Sequence, residues 1–326
     1  MKLTIGRLYE RLAVWLKRPA AHKLASIWSR IELLLALIIS KLLLYSRFAN
    51  TRLHRRIYFD ISRPDSLLLS NGQERFIVSA ADKEIGKHLF ISQEPYDFCK
   101  LELVIKLLGE HHKRRLLVDV GANVGSVCIP AIKRGLFLQA IAVEPEPLNF
   151  SLLTANIHLN DLGRKIVAHR CALGAIDGET LTLELSASNF GDHRVKTNAV
   201  GHNSRVNPST VSVRSEKLDS IIPDIKADDT VIWIDTQGFE GYVLQGASAA
   251  LAQRTPIVLE FEPRKMSKND SYKLLKNALN RGGYKCFYNL ERPIQIPYSN
   301  EALDDLYKLY LSSSHTGHPF TDLLLL

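Results

Sequence analysis

The residues best suited to bind a ligand lie in the segment LLVDVGANVGSVCIPAI, residues 116–132. Its pattern predicts a strand, a glycine-containing turn and a helix. Gly121 permits a turn that a side chain would obstruct, and Gly125 lets the start of the helix approach a ligand closely. With Ala122 and Asn123 between them, these glycines are expected to form the turn that binds a cofactor.

The acidic residue before this turn indicates which cofactor it is. The spacing is G-x-x-x-G rather than G-x-G-x-x-G, and Asp119 precedes Gly121 by two residues. A carboxylate at this place would repel a pyrophosphate, whereas it suits a ligand with an ammonium group and a sulfonium. The sign of the charge therefore favours S-adenosylmethionine over a dinucleotide.

Two later strand ends complete the predicted cofactor site. The segment QAIAVEP places Glu144 at the end of the next strand, where an acidic residue of a nucleotide-binding α/β fold takes the two ribose hydroxyls. The third strand ends near Cys171 and Ala172, which we expect beside the adenine. Ligands of open α/β sheets bind at this carboxyl edge.

Several segments together resemble the FkbM family of methyltransferases. They are VDVGANVG, AVEPEPLNFSLLTANIHLN, KLDSII, WIDTQGFEGYVLQGA and IVLEFEP, and the resemblance covers roughly residues 80–290. It implies a class I methyltransferase fold, S-adenosylmethionine as methyl donor, and O-methylation of a hydroxyl on a sugar, a glycan or another natural product. The family commonly has I-D-V-E-G-F-E where this chain has IDTQGFE, so that the neutral Gln237 replaces a carboxylate.

The chemical step requires a group that removes the proton of the acceptor hydroxyl. Asp235 follows the fourth strand at the ligand-binding edge, and Glu240 lies about one helical turn further on. We predict that both are catalytic; the alternative is that Asp235 caps the following helix and Glu240 favours its positive end. Asp235 could hold a divalent cation with Glu260 or Glu262, but we expect no metal.

A polar, aperiodic stretch over residues 186–210 is too long for an idle connection and indicates a functional loop. Its Asn189, Asp192 and His193 are candidates for contact with the acceptor. Imidazole titrates near neutrality, so His193 is a second candidate base. A solvated loop histidine is the alternative.

These residues must be positioned by alternating strands and helices. The predicted strands are 75–79, 116–120, 139–143, 166–171, 231–235, 257–261 and 284–288, and residues 66–72 are read as a turn. Helices are predicted near 94–108, 124–134, 146–158, 216–222, 239–251 and 268–281. Apolar strands alternating with helices indicate a doubly wound, mostly parallel sheet, a Rossmann-like α/β fold.

The predicted organisation has four parts: a helical N-terminal arm over 1–56, a lead-in segment over 57–115 packed on the catalytic domain, the methyltransferase domain over 116–300, and a C-terminal tail over 301–326. The formal charge of +8 is concentrated in the arm, which carries +10, and the rest of the chain carries −2. Without a basic face on the body, we expect no nucleic-acid partner.

The arm contains the apolar run IELLLALIISKLLLY, residues 31–45, which is too short to span a bilayer as a helix. Two interpretations remain open: the arm lies on an anionic membrane surface, or it packs on its own body or on a second subunit of a homo-oligomer. The four cysteines are widely spaced, which indicates reduced thiols and a cytoplasmic protein, peripheral on the membrane if the first interpretation holds.

Two other functions compete with methyl transfer. An NAD-linked oxidoreductase is disfavoured by the glycine spacing and by Asp119. A non-catalytic, membrane-associated binding protein that keeps the fold gains support from the arm and from Gln237, but the intact cofactor motif speaks against it.

Overall fold

The computed structural model describes residues 51–197, 209–312 and 320–326. The chain divides into two compact units, residues 1–57 and 58–326, and almost all described residues belong to the second. The predicted helical arm lies outside the described residues except for its last few positions, where helix α1 begins.

The described residues form the following helices: α1 Arg52–Ile61, α2 Ile85–Ser92, α3 Phe98–Leu108, α4 Cys128–Lys133, α5 Pro147–Leu159, α6 Leu218–Ile221, α7 Glu240–Gln245, α8 Ser248–Ala252, α9 Pro263–Lys268, α10 Ser271–Gly282 and α11 Asn300–Ser312. Their strands are β1 Leu67–Asn71, β2 Arg75–Ser79, β3 Leu116–Val120, β4 Gln139–Val143, β5 Ile166–His169, β6 Ala172–Leu173, β7 Thr180–Glu184, β8 Arg194–Val195, β9 Thr210–Glu216, β10 Thr230–Ile234, β11 Ile257–Phe261, β12 Cys286–Asn289, β13 Ile294–Pro297 and β14 Thr321–Leu325.

The central sheet has the order β13-β12-β14-β11-β10-β3-β4-β5. Strands β11, β10, β3, β4 and β5 are parallel to one another, whereas β14 runs antiparallel between β11 and β12. From β3 the chain continues to β4 on one side and returns as β10 on the other. This reversal places a crevice above the carboxyl ends of β3 and β10, where ligands of such sheets bind.

Alternation along each strand explains why both faces of the sheet are covered. In β3, Leu116, Val118 and Val120 belong to one hydrophobic cluster and Leu117 belongs to the other. Helices α7, α8 and α10 contribute to the first cluster. Helices α4 and α5 contribute to the second, together with α2 and α3 of the lead-in segment. The predicted doubly wound, mostly parallel α/β fold is confirmed.

Three predictions about elements were wrong or incomplete. Residues 66–72 are not a turn, since β1 occupies most of them and pairs with β2 through a hairpin loop of residues 72–74. The helix predicted over 239–251 is divided at Gly246 into α7 and α8. The segment expected as a C-terminal tail supplies helix α11 and strand β14, and β14 is an inner strand of the central sheet.

No helix among the described residues is both long and apolar enough to span a membrane. The apolar run over residues 31–45, which carries the membrane-surface interpretation, lies outside the described residues.

Candidate active site

A cleft opens above the carboxyl ends of β3, β4 and β10. It encloses about 540 Å³ of empty space, part of it open to solvent. Seven of the eleven predicted site residues line it: Gly121, Asn123, Glu144, Cys171, Ala172, His193 and Asp235. Asp119, Ala122, Gly125 and Glu240 do not line it.

Gly121 is required because two strand ends meet at this residue. The amide of Asp235 donates to the carbonyl of Val120 at 2.9 Å, which brings the backbone after β10 against the turn after β3. A Cβ on Gly121 would lie 1.9 Å from the carbonyl oxygen of Asp235, and its φ of +88° also favours glycine. The predicted tight turn is therefore correct, and its cause is contact with the backbone that follows β10.

Gly125 and Ala122 support the turn from within. A Cβ on Gly125, whose φ is +92°, would lie 2.5 Å from Cδ1 of Ile129 in helix α4. Ala122 is buried and donates its amide to the carbonyl of Val143 at 3.0 Å. Gly125 thus makes room for side-chain packing beneath the cleft, and its role in bringing the helix close to the ligand stays a prediction.

Asp119 also lies beneath the turn rather than on the cleft. Its side chain is buried, and Oδ2 accepts a hydrogen bond from the amide of Cys128 at the start of α4, at 3.0 Å. Burial raises the pKa of Asp119 to about 7, against the effect of the Cys128 hydrogen bonds. The structure thus gives Asp119 the role of a cap on α4, and the predicted direct contact with an ammonium group is not supported by this geometry.

Glu144 is held on the cleft by the main chain. Its Oε2 accepts from the amide of Asn123 and its Oε1 from the amide of Glu146, both at 2.8 Å. Burial raises the pKa of Glu144 to about 8, although these two hydrogen bonds act in the opposite direction. Each oxygen keeps a second lone pair, so the carboxylate can still accept from a pair of hydroxyls.

Asn149, in the first turn of α5, was missed in the sequence. Its Nδ2 donates to the carbonyl of Phe190 at 2.9 Å, while its Oδ1 is buried on the cleft wall with no hydrogen-bond partner. A buried acceptor without a partner costs about 1–3 kcal/mol, so native proteins keep few of them. An orphaned acceptor here and a carboxylate at Glu144 together fit the donors of a nucleoside, as S-adenosylmethionine presents them.

Cys171 and Ala172 also line the cleft, and their place beside the adenine stays a prediction. Both are buried, and Ala172 begins β6. Burial raises the pKa of Cys171 to about 11, so this residue is a neutral thiol at physiological pH and offers a small, apolar surface.

Asp235 lies on the cleft within a network of buried polar side chains. Nε2 of Gln237 donates to Oδ1 of Asp235 at 2.6 Å and to Oε2 of Glu260 at 3.1 Å. Lys265 donates to Oε1 of Gln237, which fixes the amide orientation, and it also pairs with Glu262 at 2.5 Å. Burial raises the pKa values of Asp235 and Glu260, and their mutual repulsion raises that of Glu260 further.

Glu240 points into the loop before its own helix rather than into the cleft. Its Oε1 accepts from the amides of Thr236 and Gly238, at 3.1 and 3.0 Å, and from the hydroxyl of Thr236. The side chain is fully buried, and burial raises the pKa of Glu240 to about 7. The geometry therefore gives Glu240 a role in shaping the loop, and the predicted catalytic role gains no support.

His193 lines the cleft, but its hydrogen bonding does not suit a base. Nδ1 accepts from the amide of Ser186 at 3.0 Å, so the neutral ring carries its proton on Nε2 and can only donate there. Burial lowers the pKa of His193, which favours this neutral ring. The other two loop candidates do not line the cleft. Asp192 pairs with Arg194 and Lys265, and Oδ1 of Asn189 accepts from the amide of Gly191.

The described residues contain no group of three or more His, Cys, Asp or Glu side chains arranged to hold a metal ion. At Asp235 and Glu260, the position between the carboxylates is occupied by the amide of Gln237.

The chain is similar to three solved structures that are distant from it in sequence. A methyltransferase FkbM from Methylobacillus flagellatus KT is 17% identical, with a TM-score of 0.42; the match covers 73% of this chain and 50% of that one, so the chain spans half of that protein's length. TYW2 from M. jannaschii, solved in complex with AdoMet, is 12% identical over 81% of this chain and 86% of that one, with a TM-score of 0.37.

A precorrin-6y C5,15-methyltransferase from Geobacter metallireducens GS-15 is 12% identical over 70% of this chain and 87% of that one, with a TM-score of 0.34. No curated protein matches the sequence.

The family model gives the direct assignment. The methyltransferase FkbM domain matches residues 119–286, which is just over half of the chain and contains every predicted site residue. This match confirms the resemblance inferred from the motifs and the predicted cofactor, S-adenosylmethionine. The alternative of an NAD-linked oxidoreductase is therefore rejected. The chain belongs to the FkbM family of S-adenosylmethionine-dependent methyltransferases.

Proposed function

We propose that this methyltransferase acts on a hydroxyl oxygen of a sugar, a glycan or another natural product, with Asp235 as the base. One observation carries the proposal: the Asp235 carboxylate lines the cleft, and only its Oδ1 is engaged by Gln237. Among the described residues, Oδ2 has no hydrogen-bond partner. It is therefore available to accept a proton.

The chemistry of the acceptor explains why a base is needed. S-adenosylmethionine supplies an electrophilic methyl group when bound. A neutral hydroxyl is a weak nucleophile, so a group within hydrogen-bond reach must take its proton as the new bond forms. Burial raises the pKa of Asp235, which makes this carboxylate a stronger base than an exposed aspartate.

The rest of the cleft suits the same reaction. Leu183, Val195 and Phe239 provide apolar walls, which limit the access of water to the reacting atoms. Nε2 of His193 is a donor on the same cleft, so it can orient an acceptor oxygen while Asp235 removes the proton.

The test is to identify the methylated atom. The full-length protein is incubated with S-adenosylmethionine and matched acceptors that carry a hydroxyl, an amine or a thiol on one scaffold, and the products are read by mass spectrometry. We expect transfer to oxygen, and we expect Asp235→Asn to lower single-turnover rates by about 10²–10⁴ at unchanged cofactor affinity. Asp177→Asn, an acid of an outer loop, is the control.

Transfer to nitrogen or sulfur would contradict the proposal, as would equal rates for Asp235→Asn and the wild type. Tight binding of S-adenosylmethionine with no transfer to any acceptor would favour the non-catalytic binding protein instead.

We further propose that residues 1–56 bind the surface of an anionic membrane on the cytoplasmic side. The support is the net charge of +10 beside the apolar run over residues 31–45. Co-sedimentation with phosphatidylserine vesicles should be lost on deletion of residues 1–56 and should weaken as salt rises. Salt-independent retention or no vesicle binding would contradict this proposal, and a change of oligomeric state on deletion would indicate a subunit contact.

A further inference from the structure

The backbone of Phe190 connects the loop above the cleft to the cofactor-binding turn. Its carbonyl accepts from Nδ2 of Asn123 at 3.0 Å and from Nδ2 of Asn149 at 2.9 Å. Its amide donates to Oδ1 of Asp82 at 3.3 Å, and the neighbouring carbonyl of Ser188 accepts from the amide of Lys83 at 2.7 Å. The loop over residues 186–193 is thus anchored to the cofactor-binding turn, to α5 and to the segment before α2 by a few hydrogen bonds.

The two polar atoms of the Asn149 side chain have different roles: Nδ2 belongs to this anchor, and Oδ1 lies on the cleft wall. Because Nδ2 donates to Phe190, Oδ1 must be the free end, and it is buried without a partner on the cleft wall. The residue is 1% exposed, so water has little access to satisfy the oxygen. A donor from a bound ligand would complete it.

The position of Asn149 indicates which part of the ligand supplies that donor. The backbone amide of Asn149 donates to Oε2 of Glu146 at 2.6 Å. The backbone amide of Glu146 donates in turn to Glu144, the predicted ribose acceptor. The nucleoside offers two kinds of donor in this region, the ribose hydroxyls and the exocyclic amine of adenine.

We propose that Asn149 senses the nucleoside of the cofactor: Oδ1 accepts a hydrogen bond from it, while Nδ2 holds the loop over residues 186–193 in place. Filling the cleft removes the unsatisfied acceptor and fixes the amide that anchors Phe190. Since this loop carries His193, the acceptor side of the cleft becomes ordered once the cofactor is bound. Cofactor therefore binds before acceptor.

The experiment needs no acceptor, so its outcome is independent of whether the methyl group goes to oxygen. Calorimetry measures binding of S-adenosylhomocysteine, and hydrogen–deuterium exchange follows peptides that cover residues 184–195. In the wild type, the ligand should slow exchange of this loop at least about tenfold. Asn149→Ala should bind about tenfold more weakly and lose most of that slowing.

Asp82→Ala is the matched variant. Asp82, which does not line the cleft, supplies the acceptor of the Phe190 amide, so this variant loses one anchor of the loop. It should speed exchange of the free loop while leaving ligand affinity within about threefold. An equal loss of affinity in both variants would overturn the role of Oδ1.

Two analogues identify the donor. S-inosylhomocysteine lacks the adenine amine, and the 2′-deoxy analogue lacks one ribose hydroxyl. The analogue without the true donor should bind the wild type about tenfold more weakly than S-adenosylhomocysteine does. The two ligands should bind Asn149→Ala with equal affinity. If neither analogue shows this pattern, or if the ligand does not slow loop exchange in the wild type, the proposal is wrong; the wild-type arms decide it even if Asn149→Ala fails to fold.

Discussion

The two ends of the cleft each place a carboxylate after a parallel strand, but they hold it in different ways. At the cofactor end, Glu144 is bonded by two backbone amides, those of Asn123 and Glu146. At the end that we propose for the acceptor, Asp235 accepts a hydrogen bond from one side chain, that of Gln237, which also donates to Glu260 and is fixed by Lys265.

This difference has a consequence for how each end can change. Backbone amides are present whatever the side chains are, so the cofactor end is set by the path of the main chain. The acceptor end depends on the identity of a few side chains, so single substitutions can alter its charge and shape. Such an arrangement keeps one cofactor while the acceptor varies, which is how function is grafted onto a common fold.

We expect the largest loss of stability at Gly121, where the turn after β3 contacts the backbone after β10. In Gly121→Ala, the new Cβ must displace the carbonyl of Asp235, and the φ of +88° adds strain, so we expect a loss of about 3–5 kcal/mol in the free energy of unfolding. Gly178→Ala is the control, because its φ is +76° with nothing within 4 Å, and it should lose only about 1–2 kcal/mol. Equal losses in guanidinium unfolding would show that strand contact at Gly121 is unimportant.

The sequence predicted the main sheet because its central strands are short apolar runs with helical segments between them. Strands β3, β4 and β11 lie where they were predicted. It did not predict β14, because pairing of residues 321–325 with β11 spans some sixty residues and leaves no local signal. In β1, the run of leucines hid the alternation in which Leu68 and Ser70 are buried.

For the site, strand ends could be found from the sequence but side-chain directions could not. Glu144 and Asp235 follow buried strands, and both reach the cleft. Asp119 instead lies within β3, one residue before its end, and faces the amide of Cys128 beneath the turn. Asn149 gave no signal, because its importance depends on the carbonyl of Phe190, which only the folded chain brings near.

Glu144→Ala should break the cofactor end alone. We expect a loss of about 1.5–3 kcal/mol in S-adenosylmethionine binding, about tenfold to 150-fold, with the fold retained. The pKa of Glu144 is raised to about 8, and hydroxyls bind the ionised form, so wild-type affinity should rise with pH up to about 8 and the variant should lose this dependence. Calorimetry from pH 6 to 9 measures both, with the exposed Glu110→Ala as control. An unchanged affinity in a folded variant would place the ribose elsewhere.

Gln237→Glu should change the acceptor end alone, although glutamate has nearly the same shape. It replaces an amide that donates to Asp235 and Glu260 by a third carboxylate, whose charge raises the pKa of the other two. A base is active in its ionised form, so activity should fall about tenfold at low pH for each unit of added pKa and recover as pH rises. The pH profile of the transfer rate tests this, with the exposed Gln139→Glu as control. A profile identical to the wild type would mean that Gln237 does not tune Asp235.

His193→Asn is expected to have the smallest effect, and it tests whether the acceptor end contains a second base. Oδ1 of asparagine can replace Nδ1 as acceptor for the amide of Ser186, and only the donor on the cleft is displaced. We expect single-turnover rates within about twofold to tenfold of the wild type, the cost of one neutral hydrogen bond, and no lost limb in the pH profile. The exposed His111→Asn is the control. A loss of about 10²–10⁴ would show that His193 takes the proton, which would require Nδ1 to release Ser186 and Asp235 to give up its role as base.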